Sequence, residues 1–239
     1  MIARVPPRRL WRDNAARHRV SSCELDAVSA LVPDLSGLDG LTPLTDPHGK
    51  TYFLLPAHTD GLSARTAALL AYVVNAGTGY GTGAHDLPPE TYGADEVRRI
   101  MARQSANAWS YRRGVVFAHR NGARLAATPN GMLMGLGGNV LQGLFSQRGG
   151  TTWGDVFMIN SGQRRDAAGQ LSRIIRAGAL GRLDLDRLLH HEEMHSRQWA
   201  LRGYRGMIRA YGTELARESL GRSNRLEVEA GLGDGGYPH

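Results

Sequence analysis

An α+β fold, with a small antiparallel or mixed sheet packed on helices, is what this sequence predicts. Three observations carry that expectation. Residues 52–55 and 151–159 are short runs rich in aromatic and β-branched side chains, the composition of strands. Residues 63–74, 94–109, 166–177 and 185–202 instead repeat their apolar side chains at helical spacing. The two kinds of segment are interleaved without an internal repeat, as in an α+β domain.

The chain has 239 residues, 41% hydrophobic and 21% charged, which suits one large domain or one domain with an extension. Residues 1–48 mix Arg, Pro, Asp and Gly around short apolar pieces, and they read as a basic, partly ordered N-terminal arm. Within it, residues 25–32 have enough apolar character for a turn or two of helix. Residues 49–239 read as a single domain. Six of the arginines fall in the first 20 residues against one Asp, so much of the net charge of +7 belongs to the arm. That placement argues against nucleic acid as a partner of the folded body. Cys23 is the only cysteine, so an intrachain disulfide is excluded. No apolar run reaches membrane-spanning length, and the basic start is not followed by the apolar segment of a secretory signal. The cytoplasm is the expected compartment, with export by a route that needs no leader as the alternative.

Along the body, residues 52–55 form a strand stopped by Pro56, and Asp60 or Ser63 caps the helix that follows. The glycine-dense stretch at 75–83 lacks the Gly-Lys-Ser/Thr ending of a phosphate loop and follows a helix where a dinucleotide loop would follow a strand, so it reads as a connector. Residues 94–109 make the next helix. Apolar runs at 114–119 and 123–127 flank Asn121-Gly122, the strongest short-range signal for a β-hairpin. A glycine-rich segment extends to about residue 145, and 151–159 is read as one strand. Helices follow at 166–177, through 185–202 to a stop at Gly203, at 204–220 and at 224–230.

The most specific feature is His191-Glu192-Glu193-Met194-His195. Histidines four apart on a helix lie one above the other, so both rings reach one cation, and Glu192 beside the first can reach a water on it. With nine His and nine Glu in the chain, chance supplies this pattern about 0.01 times. A catalytic zinc needs three protein ligands and an open position. Glu227, 32 residues past His195 on an expected helix, is the preferred third ligand, with Glu229 second because it points elsewhere around that helix. Glu214, Glu218, Asp234 and His239 stay as further candidates. His190 and Glu193, turned about 100° from the ligand face, are assigned to the surroundings of the site or to the surface.

These residues resemble the gluzincin type of zincin metallopeptidase, in which His-Glu-x-x-His is completed by a downstream Glu. His191 to Gln198 is similar to the His-Glu-x-x-His-x-x-Gln variant of small gluzincins, and Glu227-Val228-Glu229-Ala230 resembles their Glu-x-x-Ala. The close of the chain, residues 230–237, is similar to an uncharacterised actinobacterial family. Gly231 departs from the pattern, standing where those proteins carry an Asp that orients a ligand histidine, a duty that Asp234 either assumes or leaves unfilled. The resemblance covers residues 150–237. It implies a zincin-like fold with the motif helix behind the sheet, Zn2+ on His191, His195 and Glu227, and a substrate-pairing edge strand within 151–159. It further implies hydrolysis of a peptide or protein substrate with Glu192 as general base. Tyr237, following Gly235-Gly236, is the candidate donor to the oxyanion. The alternative is a non-catalytic, metal-containing interaction protein on the same scaffold.

Overall fold

The computed structural model describes residues 5–79, 86–88, 90–137, 150–160 and 166–237. The fold is α+β, with a six-stranded mixed sheet, a two-stranded ribbon and helices. In chain order the elements are α1 (Pro7–Arg17), α2 (Ser22–Leu31), a 3-10 turn (Ser36–Leu38), β1 (Thr42–Thr45), β2 (Thr51–Leu54), α3 (Gly61–Asn75) and α4 (Ala94–Ala106). A wide π-type turn (Ser110–Val115) then leads into α5 (Val116–Arg120), β3 (Arg124–Ala127) and β4 (Leu133–Leu136). The last part holds β5 (Gly150–Trp153), β6 (Val156–Ile159), α6 (Ala167–Ala177), β7 (Ala179–Leu180), β8 (Leu183–Asp184), α7 (Leu185–Ser219) and α8 (Arg225–Ala230).

The sheet runs β1-β2-β3-β4-β6-β5, antiparallel except for the parallel pair β4 and β6. Both faces are covered. Phe53, Leu55, Leu125, Ala127 and Leu133 pack with α1, α3 and α4 on one side. Tyr52, Ala126, Met134 and Leu136 pack with Leu171 and Ile175 of α6 and with Leu185, Leu188 and Leu189 of α7 on the other. The period-2 alternation of strand side chains divides the sheet between these two cores. The first turns of α7 thereby lie against a sheet face, where an HExxH helix was expected.

Three expectations are corrected. Over residues 5–48 the expected arm is instead packed into the body: Trp11, Ala15 and Val28 are buried in the main core, and the Trp11 indole donates to the Tyr92 hydroxyl at 2.9 Å. Their polar composition concealed a few well-spaced apolar anchors. The Asn121-Gly122 hairpin does not form either. Tyr111, Val115 and Ala118 are buried while Phe117 is exposed, a spacing of four and three that belongs to a helix. Asn-Gly here ends α5, with Gly122 at φ +84° and the Ala123 N–H reaching back to the Ala118 carbonyl at 3.0 Å. That is a helix-terminating bond, and it needs the same left-handed residue as a tight hairpin turn. Finally, residues 151–159 are two strands, folded back at Gly154 (φ +64°) and Asp155. Part of the 75–83 stretch and of the segment up to 145 lies outside the described residues, although β4 falls in the latter.

Candidate metal centre

α7 begins under a firm cap, Asp184 Oδ1 accepting the N–H groups of Asp186 and Arg187 at 2.9 and 3.1 Å. It carries His191, Glu192 and His195 inward, all three buried. At Gly203 the backbone leaves the helical region (φ 66°, ψ 168°), a conformation costly for any residue with a Cβ. The chain resumes as a second helical length bearing Tyr211 and Glu214. Glu214 accepts the Arg225 N–H at 2.9 Å and its guanidinium at 2.8–2.9 Å, which fixes the start of α8. Asn224 caps α8 through the Leu226 N–H at 3.0 Å.

Glu227, in the first turn of α8, meets the two histidines. Its Oε2 lies 3.2 Å from His191 Nε2 and 3.3 Å from His195 Nε2, and the two ring nitrogens are 3.1 Å apart. The outer nitrogen of each ring fixes its tautomer. His191 Nδ1 faces the Gly231 carbonyl at 2.9 Å, and a carbonyl only accepts, so Nδ1 carries the proton. His195 Nδ1 faces Gln198 Oε1 at 3.0 Å, while Gln198 Nε2 donates to the Leu226 carbonyl at 2.9 Å. Gln198 thus orients a histidine and tethers the helix that brings Glu227. Both Nε2 atoms then turn lone pairs toward each other and toward a carboxylate oxygen.

Three acceptors within 3.3 Å of one another repel unless a cation lies among them. Without a metal the cation is a proton. Burial opposes charge on His195, but Glu227 outweighs it and lifts the imidazolium to about 9. Burial likewise acts to raise Glu227, and the two imidazoles overcome it, holding the carboxylate far below its ordinary range. A metal fits as well. Ligands about 2.0–2.2 Å from a tetrahedral zinc stand roughly 3.3–3.5 Å apart, close to the observed spacings, and two imidazoles with one carboxylate are a donor set zinc takes.

Glu192 stands apart from this triangle. Its Oε2 accepts the Thr152 hydroxyl at 2.6 Å, and the Thr152 carbonyl accepts the Trp199 indole N–H at 3.0 Å. β5 is the edge strand of the sheet, but one of its carbonyls is already committed to α7, which revises the expectation of a free substrate-pairing edge there. Tyr237 lies beside the site, its ring 5.8 Å from that of His191. Tyr211 was not singled out by the sequence. Burial, then the charges of Glu227 and Glu192, push its phenol well up, which puts it within their electrostatic reach.

The other candidate ligands are engaged elsewhere. Glu229 accepts from Gln198 at 3.2 Å and Arg202 at 3.1 Å, Glu214 holds Arg225, and Glu218 accepts from Asn224 at 3.2 Å. His239 lies outside the described residues. Asp234 is buried and receives Arg187 Nε at 2.8 Å. It also exchanges bonds with Asp86, each backbone N–H donating to the other's carboxylate at 3.3 and 3.0 Å. Gly231 supplies the orienting group itself, through its carbonyl. Gly235 lies against the ring, where an added Cβ would fall 2.5 Å from His191 Cε1. His190 and Glu193 are buried, not surface residues. No protein-family model, curated protein or solved structure matches this chain.

Proposed function

We propose that this chain is a zinc-dependent hydrolase of peptide or other amide bonds, of the gluzincin kind, with His191, His195 and Glu227 as ligands and Glu192 as general base. The observation that carries the reading is the meeting of two Nε2 lone pairs and a carboxylate oxygen within 3.3 Å, each ring held in the metal-binding tautomer by its own acceptor. Zinc bound there would supply Lewis acidity and a water of lowered pKa.

The chain's own residues would do the rest. The Thr152 hydroxyl fixes the Glu192 carboxylate, which takes a proton from the attacking water and returns it to the leaving amine. Tyr237, with Tyr211 as a second candidate, would donate to the oxygen on which negative charge develops. A peptide or protein in the cytoplasm is the proposed substrate; the lone, exposed Cys23 suits a reducing compartment. Among the described residues no helix is long and apolar enough to cross a membrane.

Metal analysis of the purified chain and a peptide-library assay test the proposal together. The expected result is one zinc per chain and a cleavage activity that Glu192→Gln abolishes while the zinc stays bound. Activity that survives Glu192→Gln would overturn the assignment of the base. Zinc that holds the fold but supports no turnover would favour the non-catalytic alternative, and absence of bound metal would sink both.

A further inference from the structure

Of the 29 basic residues in this chain 28 are arginine, and Lys50 is the one lysine. It closes the turn between β1 and β2. Asp46 Oδ1 accepts the N–H groups of His48 and Lys50 at 3.0 and 2.8 Å, and the Asp46 N–H donates to the Lys50 carbonyl at 3.0 Å. The side chain is directed inward. Its ammonium lies 2.6 Å from Asp186 Oδ2 in the first turn of α7, with the lysine side chain 12% and the aspartate side chain 4% exposed, and it also donates to the Gly79 carbonyl.

Two more polar groups border this pair. Asp46 and Tyr52 are buried, and among the described residues Asp46 Oδ2 and the Tyr52 hydroxyl have no hydrogen-bond partner. Burial raises the Asp46 carboxyl above its ordinary value. Burial, then the charges of Asp186, Asp46 and Asp184, push the Tyr52 phenol up.

Ion pairing alone does not explain the choice of lysine. Arginine pairs with a carboxylate through two parallel bonds and is used at every other basic position. What lysine alone offers is an amine that becomes a nucleophile on losing a proton. At 2.6 Å from the buried Asp186 Oδ2, an oxygen with no hydrogen-bond partner among the described residues, the ammonium is close enough to pass that proton across directly, and a neutral product relieves the cost of burying two ions.

We propose that Lys50 Nζ and Asp186 Cγ are joined by an intramolecular amide bond that the folded chain forms by itself. The ammonium gives a proton to the Asp186 carboxylate, and the neutral amine attacks Cγ. Asp46 donates a proton to the departing hydroxyl and recovers one from the nitrogen. The N–Cγ bond forms, one Cγ–O bond breaks, water leaves, and nothing is oxidised or reduced. The neutral product removes two buried charges and ties the β1–β2 turn to the helix that carries His191 and His195. Ligand atoms of His48 and Asp184 also lie near Asp186, all three within 4.8 Å, but the Lys50 nitrogen already occupies this neighbourhood, so the cluster does not call for a metal. The inference is independent of the proposed hydrolase activity.

Intact mass and digestion at lysine test it on the full-length protein. The unfolded wild type is expected to weigh about 18 Da, one water, less than its sequence, and a lysine-specific protease should fail to cut after Lys50. Fragment spectra should link the Lys50 and Asp186 peptides. Asp46→Ala, which keeps the reacting pair, should restore both the full mass and the cut, and Asp186→Ala should do the same. Full mass with clean cleavage in the wild type would overturn the proposal. A mass deficit with Lys50 still cleavable would overturn it too, since dehydration at an Asp-Gly step (Asp39-Gly40, Asp60-Gly61 or Asp234-Gly235) would then be its source. A bond that forms normally in Asp46→Ala would refute the proton relay.

Discussion

Glu193, buried on the motif helix, and Glu227, half-buried on α8 beside it, are acids whose surroundings differ in kind. Around Glu193 the protein supplies every opposite charge: Arg99 and Arg103 at 2.5 Å and Arg197 at 3.2 Å. Burial alone would raise this carboxyl, but the guanidiniums of Arg103, Arg197 and Arg99 hold it at about 2. Asp155 is likewise satisfied, accepting from Asn107, Tyr111 and Ser196 beside the Arg103 guanidinium. Around Glu227 the protein supplies two imidazoles whose remaining protons are directed away, to Gly231 and Gln198. One cluster is electrostatically closed. The other is completed by a proton on His195 or by a metal in its place, and that asymmetry, more than burial or charge, sets the candidate site apart from a structural network.

The largest effect should come from breaking the closed cluster. Glu193→Ala removes the carboxylate shared by Arg99, Arg103 and Arg197, leaving Asp155 alone to face the buried Arg103, and should destabilise the fold by about 3–5 kcal/mol in denaturant titration. Because Glu193 is depressed in the folded state, its contribution is present above its ordinary value of 4.5 and fades as pH falls toward about 2. The variant should therefore lose the corresponding acid dependence. A variant as stable as the wild type would mean that the network is not structural.

Gly235→Ala perturbs the open cluster without removing a ligand. The added methyl must displace the His191 ring, and zinc affinity measured against a competing chelator should fall about 10–100-fold while the metal-free protein melts within a few degrees of wild type. Unchanged affinity would show that the loop after Gly231 does not set the ring.

Proton accounting separates the clusters by pH. His195 rises from 6.5 to about 9 on folding, so its contribution to metal-free stability is complete below about 6.5 and is lost as pH rises through about 9. Zinc must expel that proton. Calorimetry in buffers of different ionisation enthalpy should find roughly one proton released per ion at neutral pH and none well above 9. Binding without release at neutral pH would contradict the proton-bridged triangle.

The smallest change is Thr152→Val, which deletes the 2.6 Å bond to Glu192. It should leave zinc content unchanged, cost about 1–3 kcal/mol in kcat/KM, and be rescued by Thr152→Ser. A structural role alone would not give rescue by serine.

The sequence by itself determined the helix with His191 and His195 on one face, the nomination of Glu227, and the α+β class, because each rests on spacing within a segment or on local composition. It misjudged residues 5–48, whose anchors Trp11 and Val28 are sparse and find partners in α3, α4 and Tyr92. It misread Asn121-Gly122 because a left-handed glycine serves a helix end as well as a hairpin. Only the tertiary structure decided that the Gly231 carbonyl orients His191, that Gln198 joins His195 to α8, and that Glu193 is closed while Glu227 is open. Those are contacts between residues as many as 94 positions apart, set by how helices cross, and no local periodicity encodes them.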